Sequence, residues 1–193
     1  QAKYPMVAAG GGKEPLRAED SAFTMGSDHE VYQDSSFAIP AIYLNDWPDR
    51  YIHTNFDTAA NIDPSKLERA AFIGAASAFF LANDSRLGNG AAGAAPAAIS
   101  GSVVEGDGKL VFRRLEPPRG PMSVFGYDYF ADHAKAAGVA TPKLLDQEGL
   151  RGAGHDYAYE SLNFTDGKRN VQQIRDALSA EFGPVPLELV VEY

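Results

Sequence analysis

Phe37-Ala38-Ile39-Pro40-Ala41-Ile42-Tyr43-Leu44 leads into Asn45-Asp46-Trp47-Pro48-Asp49-Arg50-Tyr51-Ile52-His53-Thr54-Asn55-Phe56-Asp57-Thr58. The reading of this stretch decides the fold. The first half is a short apolar run between turn-prone residues, which predicts a buried strand over 37–44. Pro40 has no N–H to give to a ladder, so it belongs at the strand's start or at a bulge. The second half is a polar, aromatic loop that holds His53. A histidine in a loop just past a strand end is where α/β enzymes place ligands and catalytic groups. Asp57 follows, placed to orient the loop or the imidazole.

The pattern extends in both directions. Upstream, Gly26-Ser27-Asp28-His29 precedes the apolar run, and residues 1–24, with Gly10-Gly11-Gly12, read as a loop. Downstream, Asp63-Pro64 is a helix start, an N-cap acceptor followed by proline at the first helical position. Leu67, Ala70, Ala71, Gly74, Ala78 and Leu81 then recur at helical spacing. Their small side chains suit a helix lying close against a sheet.

Beyond this helix the character changes. Residues 83–102 are rich in Gly, Ala and Ser and read as a linker. Val103-Val104, Glu105-Gly106-Asp107-Gly108 and Leu110-Val111-Phe112 predict a hairpin. Tyr129 to Ala137 predicts a short helix. Near the end, Asp166-Gly167 is a turn, and Asn170 caps a helix with Gln173 reaching back. Val171, Ile174, Leu178 and Phe182 form its apolar stripe. Gly183 ends it, and Pro186 starts another helix. The expected organisation is 1–84 as one domain portion, 85–102 as linker, 103–140 as hairpin and connection, and 141–193 as a small, mainly helical or winged-helix-like module.

Bulk properties narrow the function. The chain has 193 residues, enough to bury roughly 70% of its unfolded surface as a free-standing domain. Its net charge of -9 makes nucleic acid a poor partner. No apolar stretch spans a bilayer comfortably. With no cysteine, disulfides, thiolate zinc sites and cysteine nucleophiles are excluded, and any metal falls to His, Asp and Glu. The chain begins Gln1-Ala2-Lys3 without a leader pattern and stops about two turns after Pro186, so both ends read as cuts in a longer polypeptide.

The histidines are His29, His53, His133 and His155. A lone histidine near aromatics is more often a hydrogen-bonded structural residue than a ligand, and the spacing of His29 and His53 matches no compact metal motif. The residues alone leave both readings open. Ser27-Asp28-His29, Ile39-Pro40-Ala41, Tyr51-Ile52-His53-Thr54, Asp57-Thr58 and Ile62-Asp63 together resemble the co-catalytic zinc exopeptidases. That family includes bacterial leucyl aminopeptidases, glutamate carboxypeptidase and glutaminyl cyclases. The resemblance covers about residues 20–84.

It implies an α/β fold, a mixed central sheet flanked by helices, of which this is the C-terminal part. It also implies a peptide substrate, two zinc ions in the complete enzyme, and His53 as the last zinc ligand in chain order. In that chemistry one zinc polarises the scissile carbonyl and both lower the pKa of a shared water. The other expected ligands, a His-x-Asp motif, a Glu-Glu pair and a further Asp, belong upstream. This sequence contains neither motif, so a missing N-terminal half or a companion chain is the implied partner and no catalytic residue is assigned here.

Ser27, Asp28 and His29 are implied to shape the floor of the site, and Tyr43, Trp47 and Phe56 to line the substrate pocket. Tyr51 stands one residue before the position where relatives use tyrosine on the tetrahedral intermediate. That position holds Ile52. Cyclase relatives carry Asp where Ser27 stands, which favours the peptidase branch over cyclase-type acyl transfer. The remaining alternative is a non-catalytic binding or structural subunit. Family members of this architecture are often exported, so the expected location is periplasmic or extracellular. His133, His155 and the last residues, which resemble a C-terminal extension of some bacterial members, are expected to serve packing or interaction.

The strand at 37–44 and the small-residue helix face both need partners. Residues 1–84 expressed alone are therefore expected to aggregate or stay poorly folded. Thermal unfolding followed by circular dichroism checks this, and a sharp cooperative melt would contradict it.

Overall fold

The computed structural model describes residues 21–46, 49–84 and 106–193, and the backbone of 6–7 and 13–14. In chain order its elements are β1 (Met6–Val7), β2 (Lys13–Glu14), α1 (His29–Gln33), α2 (Pro64–Asn83), β3 (Val111–Arg113), β4 (Ser123–Val124), β5 (Tyr127–Asp128), α3 (Tyr129–Ala137), α4 (Gly154–Asn163), β6 (Asp166–Asn170), α5 (Val171–Phe182) and α6 (Leu187–Glu192). Turns of 3₁₀ helix lie at Ala59–Asn61, Gly106–Lys109 and Lys143–Asp146. This mixture of helices and small antiparallel sheets is of the α/β class. Among the described residues no helix is long and apolar enough to cross a membrane. The chain divides into two compact units, residues 1–20 with 42–91, and 21–41 with 92–193.

In the first unit β1 pairs antiparallel with β2. Helix α2 begins as its sequence dictates, with the Asp63 carboxylate accepting from the Ser65 amide at 2.8 Å and Pro64 at the first turn. Proline costs nothing there, because its missing N–H is one of the donors that have no intrahelical acceptor. The expectation that its small-residue face lies on a sheet is not met among the described residues. No residue of α2 is buried, and Phe72 and Phe79 are 71% and 72% exposed. Lys66 Nζ reaches the Asp46 carboxylate at 2.6 Å, a surface pair of at most about 1 kcal/mol.

The second unit has the hydrophobic core. Leu144, Tyr157, Val171, Ile174, Leu178, Phe182, Val185 and Val190 pack together in it. The stripe Val171, Ile174, Leu178, Phe182 on α5 is fully or almost fully buried, as its helical spacing requires. The Asn170 side chain accepts from the Gln173 amide at 2.8 Å, and the Gln173 side chain accepts from the Asn170 amide at 3.0 Å. This reciprocal cap satisfies two helix-end donors. Gly183 ends the helix at φ +119, a value that disfavours any side chain, and its carbonyl accepts from the Tyr157 hydroxyl at 2.9 Å. Pro186 stands at the N-cap of α6, one place earlier than its usual helical position. Helix α3 spans the expected residues, with Asp128 accepting from the Ala131 amide.

One expectation needs correction. Residues 37–44 do not form a strand. Instead the chain folds back on α1: the Phe37 and Ala38 amides donate to the Asp34 carbonyl, Ile39 donates to the Tyr32 carbonyl, and Gln33 Nε2 donates to the Ala41 carbonyl. These contacts occupy backbone groups that a sheet neighbour would otherwise pair. The first strand of the hairpin expected over 103–112 lies outside the described residues. Residues Gly106–Lys109 make a 3₁₀ turn. The following β3 pairs with the distant β6, Val111 opposite Asn170 and Arg113 opposite Asp166. The Val171 amide extends that pairing by donating to the Leu110 carbonyl at 2.9 Å. A strand that also carries the N-cap of α5 ties β3 to the core, which a local hairpin does not. The linker expected over 85–102 lies outside the described residues.

Helix α4 and the end of α5 bring carboxylates together. Burial, and secondarily the Glu181 carboxylate, push Glu160 up to about 8, with Asp156 and Asp34 adding to the repulsion and Asn163 opposing it. Burial also raises Asp156 and Glu181. A carboxyl whose folded pKa lies above its unfolded value of 4.5 binds its proton more tightly in the native state. Its stabilisation is complete below pH 4.5 and is lost as pH rises through about 8. Stability is thus expected to fall between these limits with a slope of up to about 1.4 kcal/mol per pH unit. Glu160→Gln should flatten that slope, as measured by urea unfolding at several pH values.

Candidate functional site

The site residues named above fall in both units. Ser27, Asp28 and His29 belong to the second, and Tyr43, Tyr51, His53 and Asp57 to the first. Trp47 lies outside the described residues.

His53 sits in a loop built from local hydrogen bonds. The Asp49 carboxylate accepts from the Tyr51 amide at 2.7 Å and the Ile52 amide at 3.2 Å. The Tyr51 carbonyl accepts from the Thr54 amide at 3.0 Å and from its hydroxyl at 2.6 Å. The Thr54 hydroxyl oxygen in turn accepts from the Phe56 amide at 3.1 Å. Asn61 Nδ2 closes the loop by donating to the Phe56 carbonyl at 2.7 Å. Residues 51–54 therefore form a turn with Ile52 and His53 in the middle. His53 has φ +61, the left-handed conformation that this turn position usually gives to Gly or Asn. A bulkier residue there costs about 1–2 kcal/mol. Its imidazole is exposed at the tip, and Asp57 is likewise exposed.

Around Ser27-Asp28-His29 the geometry is different. His29 is buried, and its Nε2 donates to the Thr24 carbonyl at 2.7 Å. That nitrogen is committed to holding the turn. The Gly26 amide donates to the Glu30 carboxylate, and the Ser27 and Asp28 carbonyls accept the amides of Glu30 and Val31. Ser27 and Asp28 themselves are exposed. His133 Nδ1 donates to the Tyr129 carbonyl at 2.7 Å and its ring stacks on Tyr129. His155 Nδ1 lies 3.4 Å from the buried Ser123 hydroxyl.

The implied zinc can be tested against these residues. Among the described residues no group of three His, Asp or Glu side chains comes close enough to hold a metal ion. His53 alone does not fit a zinc site, which needs at least three protein ligands.

Sequence reasoning did not single out the residues that fix the 26–29 turn. Arg114 Nη1 donates to both Asp34 carboxylate oxygens, at 3.1 and 3.0 Å, and to Ser35 Oγ at 3.0 Å. The Tyr159 hydroxyl donates to the Glu30 carbonyl at 2.6 Å, and its ring stacks on Phe23 at 4.4 Å. No spacing signal links Asp34 to Arg114 or Glu30 to Tyr159, so nothing in the sequence could have marked them.

The conformation of His53 is open to test. His53→Gly removes the left-handed strain and His53→Ala keeps it, while both remove the imidazole. The Thr54 amide, held by the turn, is expected to exchange with deuterium about fivefold more slowly in His53→Gly than in His53→Ala, for a difference of about 1 kcal/mol. Equal exchange would show that the turn is unstrained in solution.

Comparison with known proteins gives a match to a family. Residues 6–78 fit the family described as peptidase family M28, a span that includes Ser27, Asp28, His29, His53 and Asp57 and covers less than half of the chain. No curated protein and no solved structure matches the chain. Residues 6–78 of this chain are thus similar to peptidase family M28, and residues 79–193 lie beyond the match.

Proposed function

We propose that the protein is part of a zinc-dependent peptidase that removes residues from the N-terminal end of peptides, with His53 as one metal ligand. The observation that carries this reading is the match of residues 6–78 to peptidase family M28. The strained turn at His53 supports it, since left-handed side-chain-bearing residues cluster at functional sites. A neutral imidazole suits zinc, whose bonds to histidine nitrogen run about 2.0–2.1 Å. The remaining ligands, the general base and the second zinc are assigned to an N-terminal half or a companion chain outside this sequence. By the family resemblance Ser27 and Asp28 are assigned to substrate binding, as are, separately, Tyr43, Trp47 and Tyr51, and Asp57 is assigned to support of the His53 loop. His29, with Nε2 committed to Thr24, is assigned to the turn itself. The same reading provides for the exposed apolar side chains of α2, which a mixed sheet of the complete domain would cover.

One observation favours a second reading. The sequence has no His-x-Asp motif and no Glu-Glu pair, which suits a binding subunit that keeps part of a peptidase fold without its chemistry. Hydrolysis of an aminoacyl chromogenic substrate by the protein as isolated from its source separates the two. A chelator is expected to stop hydrolysis and added zinc to restore it. His53→Ala should nearly abolish turnover and lower the zinc content measured by mass spectrometry. Asp57→Asn should cost less, about 10–100-fold. Survival of both turnover and zinc in His53→Ala would remove His53 from the site, and a complete lack of hydrolysis in the parent protein would favour the binding subunit.

A further inference from the structure

We infer that Arg114 is a positioning residue for the 26–29 turn, so that the part of the chain beyond the family match holds a piece of the family-matched segment in shape. The observations are geometric. Residues 21–41 belong to the same compact unit as the C-terminal residues. Within it, α1 has five residues, far below the roughly 12–15 at which an isolated helix becomes even marginal in water. Its shape, and that of the turn before it, must be imposed from outside.

The imposing contacts stand on both sides of the turn. Before it, the Phe23 amide donates to a Glu181 carboxylate oxygen at 3.3 Å, and the Phe23 ring stacks on Tyr159 with an interplanar angle of 3°. After it, the Tyr159 hydroxyl holds the Glu30 carbonyl, and the Ser35 amide donates to Asn163 Oδ1 at 2.8 Å. Arg114 makes the densest set. It bonds the Asp34 carboxylate and the Ser35 hydroxyl through Nη1 and the Gly120 carbonyl through Nη2, while the Gly120 amide donates to Ser36 Oγ at 3.2 Å. The side chains of Arg114 and Asp34 are only 12% and 3% exposed.

A buried ion pair holds its partners in one place because neither charge can leave without desolvation loss. Ser27 and Asp28, by contrast, are exposed between the two anchors. The arrangement presents a turn whose flanks are fixed and whose middle is open. Arg114 acts through Asp34 on that presentation.

The test joins hydrogen exchange with kinetics, and only its kinetic arm rests on the peptidase reading. In Arg114→Gln, amides of residues 26–36 are expected to exchange about tenfold faster while amides of α5 keep their protection. Arg114→Lys, which keeps the charge but not the planar donor set, should lie between that variant and the parent. Tyr159→Phe, which removes the hydroxyl that bonds the Glu30 carbonyl and interacts with Asn163, should loosen the same residues through a contact that does not involve Arg114. In the active protein the KM for an aminoacyl substrate should rise severalfold in Arg114→Gln with kcat changed by less than about twofold, because Ser27 and Asp28 are assigned to binding. Unchanged exchange at 26–36 in Arg114→Gln overturns the inference. So does loosening of α5 in step with 26–36 in both Arg114→Gln and Tyr159→Phe, which would show a global role only. Lack of hydrolysis by the parent protein counts against the peptidase reading alone, and the exchange arm still decides the role of Arg114.

Discussion

The pair of Arg114 and the buried Asp34 is the interaction on which the arrangement of the segment around α1 depends. Its partners lie far apart in sequence and come from segments with no hydrophobic core of their own. An unpaired charge at a site this buried costs several kcal/mol, so the pair exists only if every donor and acceptor around it is satisfied. Here Nη1 and Nη2 are both used, and the Asp34 carboxylate also accepts from the Ser36 amide at 2.9 Å. The demand for satisfaction fixes the turn at 34–36, the loop at Gly120 and the end of α1 in one arrangement.

Tyr159 complements this pair. Its ring lies against Phe23 and its hydroxyl reaches the Glu30 backbone, so one side chain of α4 joins the apolar core to the entering segment. Burial raises its pKa, with nearby carboxylates adding to the effect, and the phenol therefore stays a donor at all ordinary pH. Ala22 and Phe23 pack on the core cluster formed by α4, α5 and α6. The core of the second unit is thus closed in part by residues from the family-matched segment.

The first unit is organised on a different principle. Its loop around His53 is held by side-chain-to-backbone bonds from Asp49, Thr54 and Asn61, all short-range. Short-range bonds of this kind need no core. They suffice to hold His53 at φ +61 without burying it.

What the sequence by itself determined follows from locality. The cap at Asp63-Pro64, the reciprocal cap of Asn170 and Gln173, the buried stripe of α5 and the stop at Gly183 each depend on residues within a few positions of one another. Periodicity and capping chemistry therefore reveal them. The resemblance around His53 was legible in the same way, as a string of short motifs in order. The path of 37–44, the pairing of β3 with β6, and the anchoring of the 26–29 turn were not legible. An apolar run becomes a strand only if a neighbour offers free backbone groups, and here α1 offered its own first. A strand chooses its partner by the total burial that the pairing permits, and β6 brought the capped end of α5. Asp34 and Arg114 look like ordinary surface charges in the sequence, and only the tertiary structure decides that they are buried against each other, because burial is a property of the whole packing and not of either segment.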